Sequence, residues 1–273
     1  MKFTTALTAL LLFVSCGSAS TSAQNKLSQY IRANAYLVID AATGKTVAQK
    51  NPSSAAPVAS TTKMVTALVA RDLVEGDPLV TVTKEAASVG GARAGLRAGE
   101  QFRFSDLLTA MLVRSANDAA TAVAIAASGS RPAFVKAMNA WCRAHSLTNS
   151  SFADPAGLSP KSVSSPEELV RVTREFLSVP EFDAAASLNE FTLTSAAGRT
   201  IPLKSLNTLR KVMPEDVLSL KGKTGFTNAA KYCFAGQAKT PNGKWFLAVT
   251  GAQSSWREVY MLVKYCDGEL DLK

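Results

Sequence analysis

"VASTTKMVTALVA", residues 58–70, is the stretch from which the rest of the chain can be read. It is a run of small and apolar residues with the spacing of a buried helix, and it contains one lysine, Lys63. An ammonium among apolar neighbours is costly unless it has a partner. Lys63 lies three residues after Ser60, so on a helix the two side chains share a face. Of all the serines in the chain, only Ser60 has a lysine at that spacing. A lysine buried near a second cation loses its proton more readily and can act as a base at neutral pH. A serine near a helix N-terminus also turns its backbone N–H toward an incoming carbonyl oxygen. The stretch is therefore either an amphipathic helix with a surface charge or a nucleophile and base on one helical turn.

The 273 residues suffice for one large domain or two interlocked subdomains. With 47% hydrophobic and 19% charged residues, the chain is neither disordered nor a polytopic membrane protein. Its first residues stand apart. Lys2 precedes the apolar run Ala6 to Val14, which is followed by the small residues of "SCGSASTSAQ", the order of a secretory signal. That run is too short to span a bilayer as a helix. Residues 1–23 read as a signal peptide cut after Ala19 or Ala23. Alternatively, "FVSCG" is a lipoprotein box, with residues 1–15 removed and Cys16 lipidated. Either way the expected location is outside the cytoplasm, in the periplasm or at the cell surface.

The formal charge of +9 falls to +8 without Lys2, which suits anionic wall polymers or anionic lipid. The basic residues are scattered without an aromatic–basic motif, which argues against nucleic acid. Three cysteines remain in the body, Cys142, Cys233 and Cys266. They form either one disulfide, with Cys233 and Cys266 the preferred pair, or three buried thiols.

Along the chain, "AYLVIDAATGKTVAQK" alternates and turns at Thr-Gly, predicting a β-hairpin over 35–50. A helix follows over about 61–73, with Met64, Val65, Leu68, Val69 and Leu73 at helical spacing. After the glycine-rich "SVGGARAGLRAGE" come two buried helices, "SDLLTAMLV" and "DAATAVAIAA", broken at "RSAN". "RPAFVKAMNAWCRAHSL" is a further helix, and "SPEELVRVTREFLS" is another, with a capping box from Ser165 to Glu168. From Glu190 the pattern turns strand-like, and a final helix spans about 255–266. Strands at both ends around a helical block predict an α/β fold of the α+β type. Its antiparallel sheet comes from the N- and C-terminal segments, with an all-helical subdomain inserted over about 80–185 of a domain covering 27–273.

The single histidine, His145, would have to serve any Ser-His-Asp triad or imidazole-based zinc site, and reads instead as a packing or surface residue. "TGKT" (43–46) and "GKTG" (222–225) imitate phosphate loops. The glycine such a loop needs five residues earlier is replaced by Ile39 and Val217. A Ser-Lys pair leaves two companions to look for. Ser-x-Asn occurs at Ser115–Asn117, Ser187–Asn189 and Ser205–Asn207, and Ser115 is best placed because it sits at an interhelical break. Lys-Thr-Gly occurs once, at Lys223, Thr224 and Gly225, where the glycine would let a substrate backbone come close.

Ser-x-x-Lys, Ser-x-Asn and Lys-Thr-Gly in this order resemble the serine acyl transferases that act on β-lactams and D-Ala-D-Ala peptides. From about Tyr36 onward, "VIDAATGKTVAQKNPSSAAPVASTTKMVTALVA", "LLTAMLVRSANDAA", "FVKAMNAWCRAHSLTNSSFADPAGLS" and "LKGKTGFT" resemble the D-alanyl-D-alanine carboxypeptidases, the low-molecular-mass penicillin-binding proteins. The resemblance implies a β-lactamase/transpeptidase-like fold and a metal-free serine D,D-peptidase without a cofactor. It trims the terminal D-Ala of peptidoglycan stem peptides and is acylated by β-lactams. Ser60 would be the acylated nucleophile, Lys63 its base, and Ser115 the relay of a proton to the leaving amine. Asn117 would hold the substrate peptide, Lys223 and Thr224 the terminal carboxylate, and Gly225 would admit the substrate backbone. The N–H groups of Ser60 and Phe226 would form the oxyanion hole, with Arg257 near the carboxylate.

Ala156 in "DPAGLS" stands where many relatives carry histidine. The resemblance also implies that the C-terminal β-domain and amphipathic anchor of longer members are missing, so that membrane attachment, if any, comes from Cys16. A D,D-endopeptidase uses the same parts. A β-lactamase would need a deacylating glutamate for which no equivalent loop is evident, and a non-catalytic wall sensor would not need all three motifs.

Overall fold

The computed structural model describes residues 27–270 apart from 28, 212, 214, 216 and 269. The signal-peptide and Cys16 readings lie outside the described residues. The first strand, β1 (Ala35–Asp40), is an almost wholly apolar run buried on both faces. It turns into β2 (Thr46–Lys50) as the hairpin pattern predicts, with the Asp40 carboxylate accepting from the N–H groups of Ala42 and Thr43 in the turn. That turn accounts for the first phosphate-loop imitation. A short strand, β3 (Ala56–Pro57), leads through a 3-10 turn (Ala59–Thr61) into α1 (Thr62–Leu73).

The inserted block then runs β4 (Leu79–Thr81), α2 (Lys84–Ala87), β5 (Gln101–Arg103), α3 (Phe104–Val113), α4 (Asn117–Ser128) and α5 (Arg131–Ala144). It continues with β6 (Val163–Ser164), α6 (Pro166–Ser178), α7 (Pro180–Ala185), β7 (Glu190–Thr194) and β8 (Thr200–Lys204). Three two-stranded pairs, β3–β6, β4–β5 and β7–β8, stitch this block together. The chain returns to the sheet in β9 (Ser219–Thr227), β10 (Lys231–Thr240) and β11 (Gly243–Ala252), and closes with α8 (Ser255–Cys266).

The five-stranded sheet has the order β2-β1-β11-β10-β9 and its pairings are antiparallel. Period-two alternation divides its residues between two cores. Leu37, Ile39, Ala235 and Ala248 face the helical block, whereas Tyr36, Val38, Leu247 and Val249 face Val259, Leu262 and Val263 of α8. One consequence matters for function: β9 is an edge strand, and its free side is turned toward the start of α1.

The capping box is only half formed. Ser165 Oγ accepts from the N–H of Glu168 at 3.3 Å. The Glu168 carboxylate instead accepts from the N–H of Asn149 at 2.8 Å and from Ser150 Oγ at 2.5 Å. It is buried, and the loop donors outbid the helix end for it. The preferred Cys233–Cys266 disulfide is absent: all three cysteines are free thiols. Cys233 Sγ points to the carbonyls of Pro57 and Ala230, while Cys266 ends α8. His145 is a packing residue, stacked on Trp141 at 3.8 Å with Nδ1 2.9 Å from the Trp141 carbonyl.

Candidate active site

Ser60 sits in the 3-10 turn that opens α1. The residue before it, Ala59, has φ of +48°, a left-handed conformation that costs a non-glycine residue about 1 kcal/mol. One turn into α1, Lys63 is fully buried and its Nζ has three neighbours. They are Ser60 Oγ at 2.8 Å, Asn117 Oδ1 at 2.8 Å and the Ala156 carbonyl at 2.7 Å. The surface-charge reading of Lys63 is thereby removed.

Ser115 lies in the break between α3 and α4, buried and again left-handed, with φ of +57°. Two residues on, Asn117 starts α4. Its Oδ1 accepts from Lys63 and its Nδ2 donates to the Gly90 carbonyl at 2.8 Å. Asn117 therefore ties Lys63 to the glycine-rich stretch, using one of its two amide N–H bonds. The neighbouring Asp118, fully buried, accepts from the N–H groups of Ala94, Gly95 and Leu96 at 2.9–3.1 Å. Together the two residues hold the glycine-rich stretch against the site.

Lys-Thr-Gly lies on the edge strand β9. Lys223 is 4% exposed and donates to the Thr224 carbonyl at 2.8 Å. A methyl group at Gly225 would stand 2.8 Å from the backbone nitrogen of Ser60 and 3.1 Å from the Val58 carbonyl, so only glycine allows β9 to run this close to the nucleophile turn. Ser60, Ser115, Thr224 and Gly225 line one cleft of about 260 Å³, together with Phe226. Arg257 is not brought there. Its guanidinium donates to the Tyr30 carbonyl at 2.8 Å and lies 3.6 Å from Glu258 on α8, which draws it back toward the N-terminal segment. Of the three Ser-x-Asn matches, it is Ser115–Asn117 whose asparagine accepts from Lys63. Ser205 instead donates its N–H to the Asn189 carbonyl, joining one match to the other.

The loop over 154–162 supplies what the sequence could not announce. Asp154 accepts from the N–H groups of Ala156, Leu158 and Ser159 at 2.7–3.0 Å, folding the loop on itself. This turns the Ala156 carbonyl onto Lys63, so the position contributes through its backbone and its side chain is buried. The electrostatics follow from burial. Desolvation first, then the charge of Lys223, push the Lys63 ammonium well below the usual lysine range, against the opposing pull of Asp154 and Asp118. Desolvation alone pushes Lys223 down to about 7.

The arrangement defines a serine acyl-transfer site with a lysine beside the nucleophile. The family model described as D-alanyl-D-alanine carboxypeptidase matches residues 19–254, and the chain belongs to that family of serine peptidases. It is 32% identical over 210 residues to a D-alanyl-D-alanine endopeptidase of Pseudomonas aeruginosa, covering 76% of this chain and 67% of the relative. It is 29% identical over 265 residues to the D-alanyl-D-alanine carboxypeptidase DacF of Bacillus subtilis, covering 94% of this chain and 67% of the relative. The fold is shared with a D-alanyl-D-alanine carboxypeptidase from Mycobacterium tuberculosis, with a TM-score of 0.78 at 24% identity over 88% of this chain and 92% of that one. Among the described residues no helix is long and apolar enough to cross a membrane.

Proposed function

We propose that the protein is a serine D-Ala-D-Ala carboxypeptidase that removes the terminal D-alanine of peptidoglycan stem peptides through a Ser60 acyl-enzyme. The observation that carries this reading is the set of three acceptors around Lys63 Nζ. Asn117 Oδ1 and the Ala156 carbonyl can only accept, so in a neutral lysine they take its two N–H bonds. The lone pair is then left facing Ser60 Oγ. Ser60 gives its proton to Lys63 as its Oγ bonds to the penultimate carbonyl carbon. The negative oxygen that develops is met by the N–H groups of Ser60 and Phe226. Breaking the C–N bond releases D-alanine, whose amine takes a proton through Ser115. Water then hydrolyses the ester and restores Ser60. A cationic Lys223, with Thr224, holds the terminal carboxylate.

The two lysines must therefore be in opposite protonation states, which fixes the pH dependence. kcat/KM should rise on the acid side as Lys63 loses its proton. It should fall on the alkaline side as free Lys223 is neutralised, with a midpoint near 7. Lys223→Arg keeps its charge at all working pH values, so the alkaline limb should move out of range even if the rate at neutral pH drops. An alkaline limb unchanged in that variant excludes Lys223 as its source.

A second reading, a D,D-endopeptidase cutting crosslinks, is favoured by the 32% identity to the Pseudomonas aeruginosa endopeptidase. Incubation with a D-Ala-D-Ala pentapeptide and with crosslinked muropeptides separates the two. Tetrapeptide and free D-alanine are expected from the first substrate, and product from the second alone would replace the carboxypeptidase reading. Export to the periplasm or cell surface belongs to the same proposal and rests on the order Lys2, apolar run, small residues. The intact mass of the mature protein distinguishes a free N-terminus from a lipidated Cys16.

A further inference from the structure

The cleft is lined by both polar and apolar groups. Ser60, Ser115 and Thr224 supply the polar groups, and the remaining wall is built by Ala92, Leu206, Phe226 and Tyr232. Phe226 is 51% exposed and Leu206 38%, so two large apolar side chains stay open to solvent at the reacting serine. Neither exposure belongs to a loose loop. The Phe226 ring lies against Tyr232 of β10 with centroids 4.5 Å apart, and the two residues are cross-strand partners. Leu206 is held from both sides of the cleft. Its N–H donates to the Val113 carbonyl at 3.2 Å, and the adjacent Asn207 amide donates to the Gly222 carbonyl at 3.4 Å. The Ser205–Asn207 segment, which takes no part in the chemistry, thus fixes a leucine beside it.

We propose that Phe226, Tyr232 and Leu206 form a specificity ledge that selects acyl donors carrying an uncharged aliphatic or aryl side group near the scissile carbonyl. The wall formed by Ala92, Leu206, Phe226 and Tyr232 carries no charged side chain. A charged donor group laid on the ledge would lose water without gaining a partner, whereas an apolar group would cover exposed ring and methyl surface. The proposal rests on the acyl-transfer reading above and adds to it the chemistry of the group that is preferred.

The test compares acylation by benzylpenicillin, which carries a phenylacetyl side group, with acylation by 6-aminopenicillanic acid, which has a bare amine there. Both are followed by intact mass on the full chain. The unaltered protein should react faster with benzylpenicillin. Phe226→Ala should lower the ratio of the two rate constants about tenfold, the scale on which an apolar pocket discriminates. Phe226→Leu should restore most of that ratio, an outcome that loss of a merely structural aromatic would not give. Leu206→Ala, judged by the same ratio, keeps the test decisive if Phe226→Ala does not fold. An unchanged ratio in the alanine variants overturns the ledge. Failure of the unaltered chain to react with either compound overturns the acyl-transfer reading itself, so the two failures are told apart.

Discussion

Lys63→Ala will abolish labelling of Ser60 by a fluorescent penicillin, with a fall in acylation rate of about 10³-fold, the scale of a lost general base. The expectation rests on the geometry of one nitrogen. Nζ lies 2.8 Å from the nucleophilic oxygen, and among the described residues no other ionisable side chain is hydrogen-bonded to Ser60. The single histidine, His145, follows the last residue of α5, stacked on Trp141, and cannot stand in. Lys63→Arg should fail equally, because a guanidinium keeps its charge and has no lone pair to offer. Stability should change less than activity. Asn117 Oδ1 and the Ala156 carbonyl lose their donor, but a buried cation is removed as well. Labelling of the alanine variant at the normal rate would remove Lys63 from the mechanism.

Gly157→Ala should be severely damaging although it adds a single methyl. Gly157 has φ of +76°, and a β-carbon there would stand 1.9 Å from the Ala59 carbonyl oxygen and 2.7 Å from Thr62 Oγ1. The first of these neighbours is backbone of the nucleophile turn and cannot rotate away. Overpacking plus left-handed strain amounts to about 3 kcal/mol, or ~10 °C in the melting midpoint of a domain this size. Relief would have to move either Ser60 or the Ala156 carbonyl next door. A displacement near 1 Å at a reacting group costs about 100-fold in rate. Thermal melting and penicillin labelling measured on the same sample check both effects. A variant that melts and labels like the parent would show that the loop does not bear on the turn.

How much of this was legible without coordinates differs from group to group. Ser60 and Lys63 were legible because helical spacing alone puts them on one face, and the β1–β2 hairpin because alternation and a turn signal coincide. Ser115–Asn117 could be preferred over the two other Ser-x-Asn matches only by its position at a helix break. Asp118 and Asp154 carried no signal, since a carboxylate that gathers backbone N–H groups looks like any other acidic residue in a sequence. The Ala156 contribution was invisible for a related reason: a carbonyl belongs to every residue, and only the fold decides which one meets a lysine. Arg257 was misplaced because resemblance locates a residue along the chain but not where its long side chain is drawn. The Glu168 half of the capping box failed similarly, to donors that come from 18–19 residues away.

Asn117 fastens the base and Gly90 together, and the adjacent Asp118 fastens residues 94–96 of the same glycine-rich stretch. Lifting that stretch off the body therefore pulls on the first turn of α4, and through it on the amide that aims Lys63. Local opening and loss of activity become the same event. The protein would fall silent before it unfolded, and the amide protons of residues 94–96 would act as a gauge of whether the serine is armed.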